Sequence, residues 1–333
     1  MGYGAYSYEA HAALTSVRAT RPTQQLFAQR SCHPLMEPRG VGLRESRDSA
    51  QHPESLAIAF ALDVTGSMGA VPERLARHDL PGLMKRLGEF GVPDPQVLFM
   101  AVGDAFDDRA PLQVGQFEST AELMDQWLTW TWLEGGGGGG NRESYDLALY
   151  FAARHLDLDC HRKRGQRGYL FLTGDEKPYS HVSRKAVKQW LGDELEVDLP
   201  LASVVEEVQH AFEPFFLIPD LERRGECERA WRDLLGDHVV CLESPEDTSV
   251  VVAGLLALGQ GLHTLDSLAR QLRDGGSLDS ARDRFDGRRV GRVARALMPF
   301  AASLGKDGAP RLKLESSAEV LDVSDAPSGL QRA

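Results

Sequence analysis

Apolar positions along the chain fall into a few unbroken runs and several stripes of helical spacing, separated by polar stretches. The run LAIAFAL at 56–62 has no polar break, as expected for a strand buried on both faces of a parallel sheet. Similar runs predict strands near 97–102, 168–173, 214–218 and 238–242, and PLQVGQF at 111–117 alternates enough for a short antiparallel edge strand. Helical patterns lie between them. DLPGLMKRLGEF puts Leu80, Leu83, Met84, Leu87 and Phe90 on one face, with Asp79 as the expected N-cap and Pro81 in the first turn. STAELMDQWLTWTWL is a helix that Ser119 or Thr120 can cap, and ESYDLALYFAARHL aligns Tyr145, Ala148, Leu149, Ala152 and Leu156. Further helices are expected over 183–195, 199–212, 221–235 and 244–260, the last capped by Ser244. Strands alternating with helices predict an α/β fold: a doubly wound, Rossmann-like, mostly parallel sheet with helices on both faces.

The flanks are patterned differently. Residues 1–51 read as an N-terminal extension, polar and loop-rich, with a short helix over 8–17 and an edge strand at 40–43. Beyond 262, a helical extension over 263–310 is expected, with ARALMPF apolar enough to dock back on the domain. Residues 311–333 are Ser- and Asp-rich and are expected to be disordered.

Composition narrows the class. Hydrophobic residues at 42% and charged residues at 26% of 333 leave ample material for a core. A net charge of −12 argues against a general nucleic-acid binder, whose footprint is basic. No apolar run approaches the roughly 18 residues of a membrane span. The first residues lack a basic segment leading into an apolar one, so no signal peptide is expected. Cys32, Cys160, Cys227 and Cys241 include no CxxC pair, which suggests reduced thiols in a cytoplasm.

The candidate chemistry sits just past the first strand. Asp63, Thr65 and Ser67 alternate on a Gly-containing loop at the strand's carboxyl end, where open α/β sheets place ligands. One carboxylate with two hydroxyls forms an all-oxygen cluster of the kind a hard divalent cation prefers. Two more strands end in acidic residues: Gly103-Asp104 after the second, and Gly174-Asp175-Glu176 after the run at 168–173. Asp104 is either near such a cation, directly or through water, or part of a solvated turn with Asp107 and Asp108. Six glycines, 135–140, precede Asn141, Arg142 and Glu143; no Gly-Lys-Ser/Thr follows, so a phosphate-binding loop is not indicated. A carboxylate at Glu143 also suits the first turn of a helix through its dipole.

DVTGSM resembles the DxSxS signature of the metal-ion-dependent adhesion site of von Willebrand factor A domains, and the resemblance covers about residues 52–262. It implies a divalent ion, Mg²⁺ or else Mn²⁺ or Ca²⁺, held by Asp63, Thr65 and Ser67. GGGNRESYDLAL is similar to the family's glutamate-bearing third loop, which implies Glu143 as a ligand, with Asn141 as the other candidate. TGDE departs from the family's TDG; alignment on the loop and Pro178 puts Asp175 on its aspartate. The resemblance further implies a bacterial cytoplasmic interaction module, in which a partner's carboxylate completes the metal shell. A MoxR-type AAA+ ATPase or a stress-response assembly is the partner class it suggests, with neither nucleic acid nor membrane. The alternative function is a hydrolase or phosphatase using the same cation as a Lewis acid. That chemistry needs a positioned base, and His155, His161 and His181 stand in no recognisable catalytic setting. A metal-free scaffold is the third reading.

Overall fold

The computed structural model describes residues 4–19, 21–65, 71–74, 79–134, 142–219, 221–223, 225–274 and 285–304. Ser67, Asn141, the glycine run and the segment expected to be disordered lie outside them.

Six strands build the central sheet: β1 (Leu56–Asp63), β2 (Pro95–Val102), β3 (Leu112–Val114), β4 (Gly168–Thr173), β5 (Phe212–Ile218) and β6 (Val239–Cys241). Their order is β6-β5-β4-β1-β2-β3. Every pairing is parallel except β2 with β3, which makes β3 the antiparallel edge strand the alternation predicts. From β1 the chain winds outward through β2 and β3, then returns to the other side of β1 at β4. The carboxyl ends of β1 and β4 are therefore the topological switch point, where an open α/β sheet leaves a crevice for a ligand.

The two faces of β1 differ in size. Leu56, Ile58, Phe60 and Leu62 enter one helix layer, whereas Ala57, Ala59 and Ala61 face the other. The alanine face lets a helix come close. That helix is α4 (Tyr145–His155), whose residues 145–152 are all buried. It is packed by α5 (Arg184–Trp190), α6 (Leu201–Ala211) and α7 (Gly225–Leu235). The bulky face meets α2 (Leu80–Glu89), α3 (Ala121–Thr129) and α8 (Thr248–Gly259). Pro214 lies in β5 below residue 216, where β6 joins, so its missing N–H falls outside the β5–β6 ladder.

Both flanks belong to this core. α1 (Tyr8–Ala19) is followed by Leu26 and Phe27, which enter the bulky-face cluster. α9 (Leu265–Asp274) and α10 (Gly287–Ser303) add Leu268, Leu272, Val290, Val293, Leu297 and Phe300 to the same cluster. Asp247, buried before α8, accepts hydrogen bonds from Arg289 and Arg292 and holds α10 down.

Three local expectations shift. The strand expected at 40–43 forms instead at Arg44–Ser46 and pairs in parallel with Leu156–Leu158. Gly40 and the carbonyls of Val41 and Gly42 are drawn to Leu191 and His155 instead. Asp79 precedes α2 but does not cap it through its side chain, because that carboxylate accepts from Arg74. Ser244 caps a short 3₁₀ turn, Pro245–Asp247, which α8 then continues. Thr120 caps α3 by accepting from Leu123 N–H, as the sequence suggests.

Candidate functional site at the carboxyl edge of the sheet

Parallel register sets the site. Leu62 pairs with Thr173 and Asp63 with Val102, so Asp63 ends its strand beside Gly174 and two residues short of Asp104 in the neighbouring strand's direction. Strands in a sheet lie about 4.8 Å apart, so three acid-bearing loops emerge side by side.

Asp63 is fully buried and its carboxylate is held on both oxygens. Oδ1 accepts from the Thr65 backbone N–H at 2.9 Å and from the Thr65 hydroxyl at 2.5 Å. Oδ2 accepts from the Tyr145 hydroxyl at 2.6 Å. A carboxylate has about four acceptor positions, so three filled ones fix its orientation. Burial pushes its pKa up to about 6, raised further by Asp175 and opposed by the bonds from Thr65 and Tyr145. With the Thr65 proton given to Asp63, the capacity remaining on that hydroxyl oxygen is acceptor capacity, the kind a cation uses.

Glu143 stands before α4 rather than in its first turn, correcting the sequence expectation. Arg142–Glu143 forms a two-residue parallel ladder with Lys177–Pro178, tying the third loop to the loop that carries Asp175. The helix begins at Tyr145, with Asp146 as its first-turn acid. Glu143 is 8% exposed, and its Oε2 is buried with no hydrogen-bond partner among the described residues. Burial, followed by the charges of Asp63, Asp104, Asp108 and Glu176, pushes its pKa up to about 9. Asp146 is likewise buried with an unpartnered Oδ1, and burial takes it to about 8.

Asp104 is buried and bonded from several sides. Tyr179 Oη donates to it at 3.0 and 3.2 Å, the Phe106 N–H at 3.2 Å and Ser144 Oγ at 3.4 Å. It shares the electrostatics of Glu143 without being one of its hydrogen-bond partners. Asp175, half-buried, lies within electrostatic reach of Asp63 and of Tyr145.

Two features escaped the sequence. Tyr145 reads as one apolar position of a helical stripe, yet its phenol spans the site to Asp63. A buried tyrosine hydroxyl needs a partner, and the acidic loop ends were the available acceptors. Gly174 is the second: a Cβ there would overlap the Tyr145 hydroxyl. The TGDE order places the glycine, not the aspartate, under that ring.

The donor set suits a hard cation in kind: carboxylates and hydroxyls, with one buried carboxylate oxygen unmatched. Among the described residues no three His, Cys, Asp or Glu side chains converge tightly enough to hold a metal by themselves. A site here would therefore draw on hydroxyl oxygens and water. Among the described hydrogen bonds none joins a histidine to this cluster. His155 bonds Asp193 and the Val41 and Gly42 carbonyls, and exposed His181 contacts Ser180.

No family model matches the chain, and no curated protein matches it. Solved structures do. The pilus adhesin SpaC from Lactobacillus rhamnosus GG, in its open conformation, aligns over 65% of this chain and 31% of its own, with 10% identity and a TM-score of 0.42. Proximal thread matrix protein 1 from the mussel byssus aligns over 61% and 45%, with 14% identity and a TM-score of 0.38. A von Willebrand factor type A protein from Catenulispora acidiphila aligns over 62% and 43%, with 13% identity and a TM-score of 0.38. The chain thus spans less than half the length of each. Likeness at this level adds nothing to the strand order and register. No helix among the described residues is long and apolar enough to cross a membrane.

Proposed function

We propose that the chain is a protein-interaction module that captures an acidic group of a partner through a divalent cation. Asp63, Thr65 and Ser67 would hold the ion, with Glu143 and Asp175 binding directly or through water. Asp104 and Asn141 would stand behind them. The observation that carries the reading is the buried Glu143 Oε2, which has no hydrogen-bond partner among the described residues and lies within electrostatic reach of Asp63. Burial, and then Asp63, Asp104, Asp108 and Glu176, hold this carboxyl in its neutral form, and a cation in the site would let it ionise. Mg²⁺ is the expected ion, with Mn²⁺ or Ca²⁺ as alternatives, since all three take oxygen donors. The cation would supply a positive, coordinatively open point at which a carboxylate can bind. Tyr145 and Thr65 would keep Asp63 oriented toward it.

The finer expectations, a cytoplasmic setting and partnership with a MoxR-type AAA+ ATPase, rest on the resemblance of the loop motifs. No residue here favours hydrolysis over binding, so the enzyme reading is not adopted. Calorimetric titration with Mg²⁺ and Mn²⁺ tests the reading: saturable binding is expected in the wild type, with loss in Asp63→Ala. An absence of binding to the folded wild-type protein overturns it.

A further inference from the structure

Phe106 is 67% exposed, the most exposed of the large apolar side chains among the described residues. A solitary exposed hydrophobe needs no explanation in general. This one is distinguished by where it stands and how firmly it is held. Its loop follows β2 directly into the site. The Phe106 N–H bonds Asp104 Oδ1, the Ala105 N–H bonds Ser144 Oγ at 2.9 Å, and Asp108 closes the turn through the Asp104 N–H at 2.7 Å. The Asp108 N–H returns to the Asp104 carbonyl at 2.8 Å. A backbone pinned this often presents its phenyl ring with little ordering left to do on binding, which favours affinity.

The ring has company. Tyr179 lies 5.2 Å away, centroid to centroid, and its hydroxyl is anchored on Asp104. The exposed guanidinium of Arg142 lies 5.9 Å from the Tyr179 ring centroid. Among the described residues no carboxylate pairs with Arg142. Exposed Asp107, next to Phe106 in the chain, adds the opposite sign. The rim therefore combines a cation that no described carboxylate pairs, two aromatic rings in contact, and an acid next to the exposed ring. An incoming acidic residue is favoured beside Arg142 and disfavoured beside Asp107, where the exposed Phe106 ring offers an apolar contact instead.

We propose that Phe106, Tyr179 and Arg142 form the specificity face of the site, recognising a partner segment in which a large apolar residue lies within two positions of the carboxylate. This rests on the cation-binding reading above. Phe106 is two residues from Asp104, and Arg142 adjoins Glu143. Phe106 and Arg142 lie 5.2 and 5.9 Å from the same Tyr179 ring, and extended chain covers about 3.3–3.6 Å per residue, so partner residues two positions apart can reach both.

The test uses the full chain in saturating Mg²⁺ and three capped glycine hexapeptides, read by NMR titration. One carries Glu followed by Phe, one Glu followed by Ala and one Gln followed by Phe. The wild type should bind Glu-Phe about two- to tenfold tighter than Glu-Ala, the worth of one aromatic contact. It should bind Gln-Phe weakest. Phe106→Ser should bring the Glu-Phe to Glu-Ala ratio to about one without changing affinity for Mg²⁺ alone. Arg142→Gln should weaken both Glu peptides and leave their ratio unchanged. Equal binding of Glu-Phe and Glu-Ala by the wild type, with EDTA abolishing both, overturns the specificity face and leaves the cation reading standing. A ratio undiminished in Phe106→Ser overturns it equally. Failure of Mg²⁺ itself to bind removes both readings together.

Discussion

The Tyr145 hydroxyl reaches from the first turn of α4 to Asp63 Oδ2, 2.6 Å away at the end of the central strand. The two residues belong to opposite ends of a long connection, with α2, β2, β3 and α3 between them. Tyr145 is fully buried, edge-on to Phe216 and Trp231, so the phenol has no other direction to take. Trp231 in turn donates its indole N–H to the Glu176 carbonyl at 3.1 Å, and Cys227 its thiol to the same oxygen at 3.2 Å. One aromatic cluster therefore positions both the Asp63 loop and the Asp175 loop.

Tyr145→Phe removes the donor and leaves a buried carboxylate oxygen one bond short. The expected loss is about 1–3 kcal/mol, as for an unsatisfied buried group bonded to a charge. Urea unfolding with an unchanged m-value checks it. An unaltered midpoint would mean that water replaces the phenol without cost.

Gly174→Ala should destabilise by about 1–3 kcal/mol, because the new methyl overlaps the Tyr145 ring end and the close-packed site must shift. The ring carbons are crowded as well as the oxygen, with Cζ at 2.6 Å and Cε1 at 2.9 Å from the added Cβ. Tyr145→Phe therefore relieves only part of the strain. A double-mutant cycle should show non-additive coupling between the two positions. Strict additivity would place the effect of the alanine elsewhere.

The sheet was legible because β1, β2, β4 and β5 are apolar on both faces, which only a doubly covered parallel sheet permits. Their acidic ends were legible for the same reason: a charge after such a run has to lie at its rim. What periodicity could not give was contact across the sheet. Tyr145 scored as core and is core, yet its one polar atom is what matters to Asp63. Glu143 was assigned to the helix from its spacing, but pairing with Lys177–Pro178 is a long-range bond that local pattern does not encode. The strand expected at 40–43 was displaced for the same kind of reason, by a distant acceptor demand from His155.

His11 gives a pH dependence remote from the site. It is buried on α1, with Nδ1 2.9 Å from the Tyr6 hydroxyl. Burial, and then the charge of Arg18, lowers its pKa from 6.5 to about 4. The unfolded chain therefore binds the proton more readily than the native one between those values. Stability from this group is fully present above pH 6.5 and is lost as pH falls toward 4, by up to about 3 kcal/mol. Unfolding free energies from pH 7 to 4.5 should fall more steeply in the wild type than in His11→Gln. Parallel curves would assign the acid sensitivity to other groups.

The proposed ligands should divide their work by charge. Asp63 is the ionisable group on the hydroxyl-bearing loop, so Asp63→Ala should remove most of the affinity for Mn²⁺. Thr65→Ala and Ser67→Ala delete neutral oxygens that water can partly replace, and their losses should be smaller. Thr65→Ala also withdraws the hydroxyl bond to Asp63 Oδ1, so of the two it should cost more stability in the absence of metal. Glu143→Gln keeps the shape and removes the capacity to ionise against the cation; a contribution to the cation should appear as a loss of about 1 kcal/mol or more in binding, as for other charged contacts. The same substitution removes a carboxyl that burial, and then Asp63 and Asp104, hold against ionisation, so the metal-free variant should be at least as stable as the wild type. Calorimetry with Mn²⁺ paired with thermal unfolding in EDTA separates these effects. Weaker binding together with retained or raised stability marks Glu143 as held against its own electrostatics for the ion. Wild-type affinity in Glu143→Gln would take it out of the site and transfer the third-loop role to Asn141 or to water.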